Sequence, residues 1–136
     1  MGLPGSGKTT FAKKLIVTLK DKSNLSITWF NADEVREKYK DWDFSPSGRI
    51  RQSKRMRHLC DNAQADLYVA DFVAPLKAMR DHFEAHYTIW MDTIKTSRFN
   101  DTNLIFEAPL TFDFRIKEKD ADTWVSIIAS HILKNR

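Results

Sequence analysis

The first ten residues, MGLPGSGKTT, constrain the fold and function more than any other segment of the chain. Residues 2–9 match the phosphate-binding P-loop pattern G-x-x-x-x-G-K-[ST], which normally connects a buried β-strand to a helix. The glycines allow successive backbone N–H groups to turn toward a phosphate, and the following helix adds its positive N-terminal end. The motif therefore predicts a nucleotide-binding site.

The P-loop motif also predicts a role for particular side chains. Lys8 is expected to reach the β- and γ-phosphates, and the Thr9 hydroxyl is expected to bind Mg²⁺. ATP and Mg²⁺ are therefore the expected cofactors. The residues predicted to bind the nucleotide are Gly2, Pro4, Gly5, Ser6, Gly7, Lys8, Thr9 and Thr10.

Only Met1 precedes the P-loop, although a strand is expected there. We expect Met1 to be the last residue of a strand whose earlier residues lie outside this sequence. The alternative is a sheet that closes without this strand or borrows one, which would leave backbone groups unpaired.

Helical and strand patterns alternate along the rest of the chain. Helices are predicted over residues 9–22, 31–40, 45–65, 75–83 and 120–136, and strands over 25–30, 66–73, 87–92 and 111–116. Residues 96–109 have no clean period and are predicted to form a loop. This alternation predicts an α/β fold, a three-layer P-loop NTPase with a parallel β-sheet covered by helices. We expect residues 1–136 to form a single domain.

Composition argues against a membrane-spanning protein and against a disulfide-stabilised one. No apolar run approaches the roughly 18 residues that a membrane span requires, and Cys60, the one cysteine, can form no internal disulfide. A cytoplasmic location is the simplest expectation. The net charge is only +4, but Lys and Arg are concentrated in RIRQSKRMR (49–57). Such a run can bind anions, nucleic acid included, or simply solvate a helix face.

A small-molecule kinase is the predicted class, because the chain is short and contains no guanine-reading N-K-x-D sequence. Such an enzyme needs a group that accepts the proton of the acceptor hydroxyl. Ligands of open α/β sheets bind beyond the carboxyl ends of strands, where Asp33, Asp71 and Asp92 are expected. Asp33 is the favoured base, since Arg36 follows one helical turn later and suits an anionic acceptor. Asp92 is equally consistent with a helix cap.

Six segments, in this order, resemble the adenylylsulfate kinase family. Besides the P-loop, NADEVR (31–36) resembles D-G-D-N-V-R, and DFSPSGRIRQSKR (43–55) resembles G-F-S-x-x-D-R-x-E-N-I-R-R. DFVAPLK (71–77) resembles S-F-I-S-P-Y-R, MDT (91–93) resembles V-D-T, and FEAP (106–109) resembles Y-E-A-P. The resemblance covers nearly the whole chain.

The resemblance implies transfer of the ATP γ-phosphoryl group to the 3′-hydroxyl of adenylyl sulfate, a step of sulfate assimilation. It makes Lys8 and Asp33 the catalytic residues. Phe44 and Phe99 would sandwich the substrate adenine, and arginines would hold the phosphosulfate. The implied substrate-binding residues are Asp33, Arg36, Phe44, Arg49, Gln52, Phe72 and Phe99. Most other cations of residues 49–57 are then expected on a solvated helix face.

The sequence departs from the family pattern at four places. Asn31 replaces the first Asp of D-G-D, Gln52 replaces an Asn, and Ala74 replaces a Ser. The basic lid of the family is reduced to a short segment between Thr93 and Phe106.

Three alternatives remain from the sequence. The first is a polynucleotide 5′-hydroxyl kinase, whose N-x-D-D-x-R acceptor motif NADEVR approaches, or another P-loop small-molecule kinase. The second is a catalytically inert nucleotide-binding module, and the third is nucleic-acid binding through residues 49–57. The favoured partner is a small molecule, adenylyl sulfate, rather than nucleic acid or a membrane, and a homodimer is left open.

Overall fold

The computed structural model describes residues 1–136 and has an α/β architecture. Its elements are α1 (Lys8–Lys22), β1 (Ile27–Asn31), α2 (Ala32–Tyr39), α3 (Pro46–Asn62), β2 (Leu67–Asp71), α4 (Lys77–Phe83), β3 (Ile89–Met91), α5 (Asn100–Ile105), β4 (Phe114–Ile116) and α6 (Ala121–Lys134). The predicted alternation of helices and strands is therefore confirmed. None of the helices has the length and apolar character needed to cross a bilayer.

The strands form two parallel pairs that Met1 and Gly2 bridge. β1 pairs with β2 from Ile27↔Leu67 to Asn31↔Asp71, and β3 pairs with β4. Gly2 N donates a hydrogen bond to Val73 O at 3.3 Å, while Met1 O accepts one from Met91 N at 2.8 Å. The backbone just before the P-loop thus lies between β2 and β3, and the P-loop emerges at the carboxyl ends of the strands.

Two hydrophobic clusters cover opposite faces of the strands. The first joins α1 and α6 and includes Phe11, Leu15 and Ile128, with Ile27 of β1 packed against it. The second joins α2, α3 and α4, and Phe30 of β1 packs there. Because side chains alternate between the faces of a strand, Ile27 and Phe30 point to opposite sides. This gives the predicted three layers.

Local signals position the two helices that border the site. The Asn31 side chain accepts a hydrogen bond from Glu34 N at 3.1 Å and caps α2, at the start of the helix predicted over 31–40. Ser45 caps α3 in the same way through Gly48 N, and Pro46 occupies the first turn. Both caps fix helix starts beside the carboxyl ends of the strands.

The predicted secondary structure is wrong in several details. The strands predicted over 87–92 and 111–116 are shorter than expected, at Ile89–Met91 and Phe114–Ile116. Residues 96–109 are not entirely loop, because they contain α5, whose six residues form under two turns and are too short to show a helical period. The helix predicted from Pro75 begins at Lys77 instead. Ala74 has a positive φ of 47°, so the chain turns sharply there before α4 can start.

Candidate active site

The P-loop has the geometry of an anion-binding turn. Gly5 and Gly7 have φ values of 85° and 96°, a region that favours glycine, and Gly7 is the N-cap residue of α1. A Cβ at Gly2 would lie only 2.5 Å from Met91 O, so the loop approaches β3 too closely for a side chain. Ser6 is fully buried beneath the loop. The turn therefore presents backbone N–H groups at the start of a 15-residue helix.

The Lys8 ammonium lies over the loop that precedes it. Its Nζ donates a hydrogen bond to Leu3 O at 3.1 Å. Burial lowers the pKa of Lys8, and the negative charges of Asp71 and Asp33 partly oppose that shift. The lysine is thus held over the P-loop, within the field of these two carboxylates.

The P-loop opens into a cavity of about 690 Å³. Its walls come from the loop, from the ends of β1 and β2, from the segment before α3, from α3 itself and from the segment around α5. The lining residues are Pro4, Gly5, Gly7, Lys8, Thr9, Thr10, Asn31, Ala32, Asp33, Trp42, Phe44, Arg49, Asp71, Phe72, Val73, Arg98, Phe99, Asp101 and Thr102. This volume is in the range of pockets that hold small molecules.

Most residues expected to bind substrate line this cavity. Asp33 lies in the first turn of α2. Phe44 and Phe99 lie in the segments before α3 and α5, each with a little under half of its surface exposed. Phe72, directly after β2, is buried and packs edge-to-face on Phe83 at 5.4 Å between ring centroids. Charge, aromatic surface and the P-loop therefore meet in one space.

Arg49 is a buried cation on the cavity wall. Its Nε donates to Phe44 O at 2.8 Å, and one terminal nitrogen lies 3.8 Å from the Asp101 carboxylate. Burial lowers the pKa of Arg49, and Asp101 opposes the shift. Because Asp101 is largely exposed, the guanidinium is only loosely paired and can bind an anion in the cavity.

Arg36 and Gln52, also expected to contact substrate, do not line the cavity. Arg36 is buried and donates to Asp41 O at 3.0 Å and Asp43 O at 3.3 Å, while its guanidinium lies 4.4 Å from the Phe44 ring centroid. Gln52 is also buried and donates to Ala32 O at 3.1 Å. Both side chains are long enough to reach backbone carbonyls behind the wall, so they support residues that do face the cavity.

Thr9, Asp71 and Asn31 form a hydrogen-bonded group on the cavity wall. Thr9 Oγ1 donates to Asp71 Oδ2 at 2.8 Å, and Asn31 Nδ2 donates to the same oxygen at 3.0 Å. Asp71 is one of the three carboxylates that the sequence placed at strand ends, and it is buried.

Asp92, the third of those carboxylates, is outside the cavity. Its Oδ2 accepts hydrogen bonds from two nitrogens of Arg115, at 2.9 and 2.7 Å. It therefore pairs with β4 and neither caps a helix nor contributes to the site.

The basic run at residues 49–57 is not an open cationic surface. Arg51 and Arg55 both bind the Asp41 carboxylate, and Arg57 binds Asp61. Arg57 also donates to Phe83 O and Glu84 O. Arg55 is an exception to the solvated helix face expected for most of these cations, because its side chain is largely buried. Carboxylates of this chain already pair with most of these arginines, so the phosphates of a nucleic acid would have to displace those carboxylates.

The sequence did not point to several lining residues: Trp42, Val73, Arg98, Asp101 and Thr102. Three of these lie on or beside α5, which has no periodic signal. The Arg98 guanidinium lies 4.9 Å from the Phe99 ring centroid, so it belongs to the same wall. Within this segment the sequence pointed only to Phe99, which was located by its distance before FEAP (106–109).

Comparison with known proteins identifies the family of this chain. A family model described as adenylylsulphate kinase matches residues 1–104, most of the chain. The chain belongs to the adenylylsulphate kinase family. Family membership implies a kinase phosphotransferase. The matched residues include the P-loop, Asp33 and every other residue that lines the cavity.

Solved structures of adenylylsulphate (APS) kinases share this fold. The Mycobacterium tuberculosis APS kinase CysC in complex with AMPPNP and APS is 19% identical, with a TM-score of 0.84 over 98% of this chain and 94% of that one. A cysteine-to-alanine mutant of the same enzyme is 20% identical, with a TM-score of 0.78 over 98% of this chain and 93% of that one. No curated protein sequence matches the chain at a significant level.

Proposed function

We propose that residues 1–136 form one kinase domain that transfers the γ-phosphoryl group of ATP to the 3′-hydroxyl of adenylyl sulfate. The observation that supports this most is the shared cavity of Lys8, Asp33, Phe44 and Phe99. It joins a phosphate-binding loop, a base and aromatic surface for an adenine. The related M. tuberculosis enzyme binds AMPPNP and APS together, which is the ligand pair that this reaction needs.

The P-loop would bind the ATP phosphates. Its backbone N–H groups and Lys8 would stabilise the charge that spreads over the γ-phosphoryl oxygens during transfer, an effect that a partly buried site strengthens. Glycines at positions 5 and 7 supply the required backbone angles. Gly2, Pro4, Ser6 and Thr10 complete the proposed nucleotide-binding set.

The residues present fit Mg²⁺ shared with a nucleotide. The Thr9 hydroxyl lies on the cavity wall beside Lys8 and supplies the oxygen ligand that this ion prefers. No group of three or more His, Cys, Asp or Glu residues could hold a metal alone, so phosphate oxygens would complete the coordination. When bound, Mg²⁺ would neutralise charge on the β- and γ-phosphates.

Asp33 would receive the proton of the acceptor hydroxyl. The acceptor oxygen bonds to the γ-phosphorus as the bond from that phosphorus to the ADP oxygen breaks, and the hydroxyl proton passes to Asp33. The carboxylate is free for this task because it takes part in none of the molecule's ion pairs.

The far end of the cavity would bind adenylyl sulfate. Phe44 and Phe99 would stack on its adenine, with Phe72 as apolar floor, and Arg49 would hold the phosphosulfate. Arg36 and Gln52 act indirectly in this proposal. Arg36 fixes the backbone on either side of Trp42 and the Phe44 ring, and Gln52 fixes the residue before Asp33.

A competition assay tests this assignment. ATP turnover is measured with adenylyl sulfate and with a 5′-hydroxyl oligonucleotide, each alone and together, in wild type and Lys8→Ala. We expect turnover only with adenylyl sulfate and a loss of at least about 100-fold in Lys8→Ala. Turnover with the oligonucleotide alone would favour a polynucleotide kinase. Absence of turnover with either acceptor would favour an inert nucleotide-binding module.

A further inference from the structure

The paired ends of β1 and β2 hold an amide and a carboxylate in contact. Asn31 and Asp71 are partners in the register of the parallel pair. Asn31 Nδ2 donates to Asp71 Oδ2 at 3.0 Å, and Asn31 Oδ1 accepts from Glu34 N at 3.1 Å. Because the cap occupies the oxygen of the amide, its NH₂ group is oriented toward Asp71.

The same carboxylate oxygen orients the P-loop hydroxyl. Thr9 Oγ1 donates its proton to Asp71 Oδ2 at 2.8 Å. With its proton held by Asp71, Thr9 Oγ1 accepts a hydrogen bond from Asn31 Nδ2 at 3.4 Å through one lone pair and keeps the other for a ligand in the cavity, which Thr9 lines beside Lys8. Asp71 is 5% exposed, so its position is fixed before any nucleotide binds. Groups that orient a metal ligand are often as necessary for metal affinity as the ligand itself.

Relative to the family pattern, the carboxylate of this pair stands at the other position. NADEVR has Asn31 where D-G-D-N-V-R begins with Asp, and DFVAPLK has Asp71 where S-F-I-S-P-Y-R begins with Ser. The pair therefore retains one carboxylate, carried by β2 instead of β1. Since the two residues are in register and 3.0 Å apart, the charge remains at the same edge of the sheet.

We propose that Asp71 is the carboxylate that positions Thr9 for the metal–nucleotide complex in this chain, in exchange for the one absent at Asn31. The exchange also explains why position 31 carries an amide. Asn31 donates a hydrogen bond to Asp71, whereas a carboxylate at position 31 would repel it. Asp71 is a positioning residue, acting on the metal through the Thr9 hydroxyl. The inference rests on the proposed use of Mg²⁺ and ATP but not on the identity of the acceptor.

Nucleotide binding without turnover tests this exchange. The dissociation constant of AMPPNP is measured by calorimetry with and without Mg²⁺, and the ratio of the two values gives the Mg²⁺-dependent gain in affinity. We expect Asp71→Ser to reduce that gain by about 10-fold or more. Adding Asn31→Asp to Asp71→Ser should restore the gain to within about threefold of wild type, because a carboxylate returns to the same strand edge.

Two further variants keep the result interpretable. Asp71→Asn preserves shape and should reproduce the loss if Asp71→Ser folds poorly. Asp92→Ser removes the carboxylate after β3, which pairs with Arg115 outside the cavity, and should leave the gain unchanged. A full Mg²⁺-dependent gain in Asp71→Ser and Asp71→Asn would overturn the proposal, as would a double variant no better than Asp71→Ser. Failure to phosphorylate adenylyl sulfate would overturn the proposed function alone.

Discussion

Replacing Arg36 with Ala tests whether Arg36 supports the cavity wall or binds ligand inside the cavity. Arg36 is 4% exposed and holds the segment before α3 through hydrogen bonds to Asp41 O and Asp43 O. Hydrogen bonds from a charged group contribute about 1.5–3 kcal/mol each. The contact with the Phe44 ring adds about 0.5–2 kcal/mol.

The expected loss of stability is smaller than these terms suggest. One of the two bonds is long, at 3.3 Å, and the freed carbonyls can be rehydrated because the segment is near the surface. We therefore expect Arg36→Ala to lower the free energy of unfolding by about 3 kcal/mol. With an unfolding entropy of about 2.1 cal/mol/K per residue, this corresponds to a fall in Tm of about 10 °C.

Arg51→Ala is the matched control. Arg51 binds the side chains of Asp41 and Asp43 in the same segment, but its own side chain is 48% exposed. Because the arginine of this pair is half-exposed and Asp41 keeps Arg55 as a partner, we expect a loss of about 1 kcal/mol and a Tm within about 3 °C of wild type. Thermal unfolding of the ligand-free proteins, followed by circular dichroism, measures both changes.

The same variants distinguish the two roles in binding. Arg36→Ala should raise the KM for adenylyl sulfate more than the KM for ATP, because Phe44 loses its support. Phe44→Ala should reproduce the effect on KM with little loss of Tm, since this ring is half-exposed. A ligand-free Arg36→Ala protein with wild-type Tm that no longer binds adenylyl sulfate would refute this reasoning. Arg36 would then act inside the cavity.

Three further predictions concern the surroundings of the site. Gly48→Ala should raise the KM for adenylyl sulfate, because its Cβ would lie 2.5 Å from Asp43 Cγ and push the segment before α3 outward; an unchanged KM would show that this segment tolerates the shift. Hydrogen bonds from two α3 arginines hold the pKa of Asp41 well below its usual 3.8. The ionised Asp41 carboxylate therefore stabilises the fold above pH 3.8, and this stabilisation is lost as the pH falls from 3.8 through the lower pKa of the folded protein. Asp41→Asn should lower the Tm by its full amount at pH 7 and by less below pH 3.8. A difference in Tm that stays constant down to pH 2 would contradict this prediction. Burial raises the pKa of the Cys60 thiol to about 11, so a thiol reagent at pH 7.5 should modify the native protein far more slowly than the urea-unfolded one, and equal rates would contradict this.

Local sequence signals predicted the parts of the site that depend on local backbone chemistry. The P-loop pattern includes the glycines that its turn requires, and Asn31 followed by Glu34 marks the start of α2. The parallel pairing follows from the alternation of strands and helices. Such features are encoded within a few residues of where they form.

The roles that depend on long side chains could not be predicted in this way. Arg36 and Asp33 are one helical turn apart, but the guanidinium extends to carbonyls of the next segment rather than to the cavity. Gln52 reaches back twenty residues to Ala32. These directions are set by tertiary packing, which spacing along one helix does not reveal.

α5 shows the same limit for short elements. Its six residues bring Asp101 and Thr102 to Arg49, but they form too few turns for a periodic pattern. Only the resemblance of FEAP to the family pattern pointed toward this segment, and it pointed to Phe99 alone. The wall of the cavity around α5 was therefore the least predictable part of the site.

Transfer of labelled phosphate to adenylyl sulfate shows whether this chain catalyses the proposed reaction. ATP labelled in the γ-phosphate is incubated with adenylyl sulfate, Mg²⁺ and wild type, Lys8→Ala or Asp33→Asn protein, and the products are separated by chromatography. We predict labelled 3′-phosphoadenylyl sulfate with wild type and a rate at least about 100-fold lower with either variant. Labelled product that forms equally fast without Lys8 or Asp33, or none at all with wild type at saturating Mg²⁺, would contradict the account.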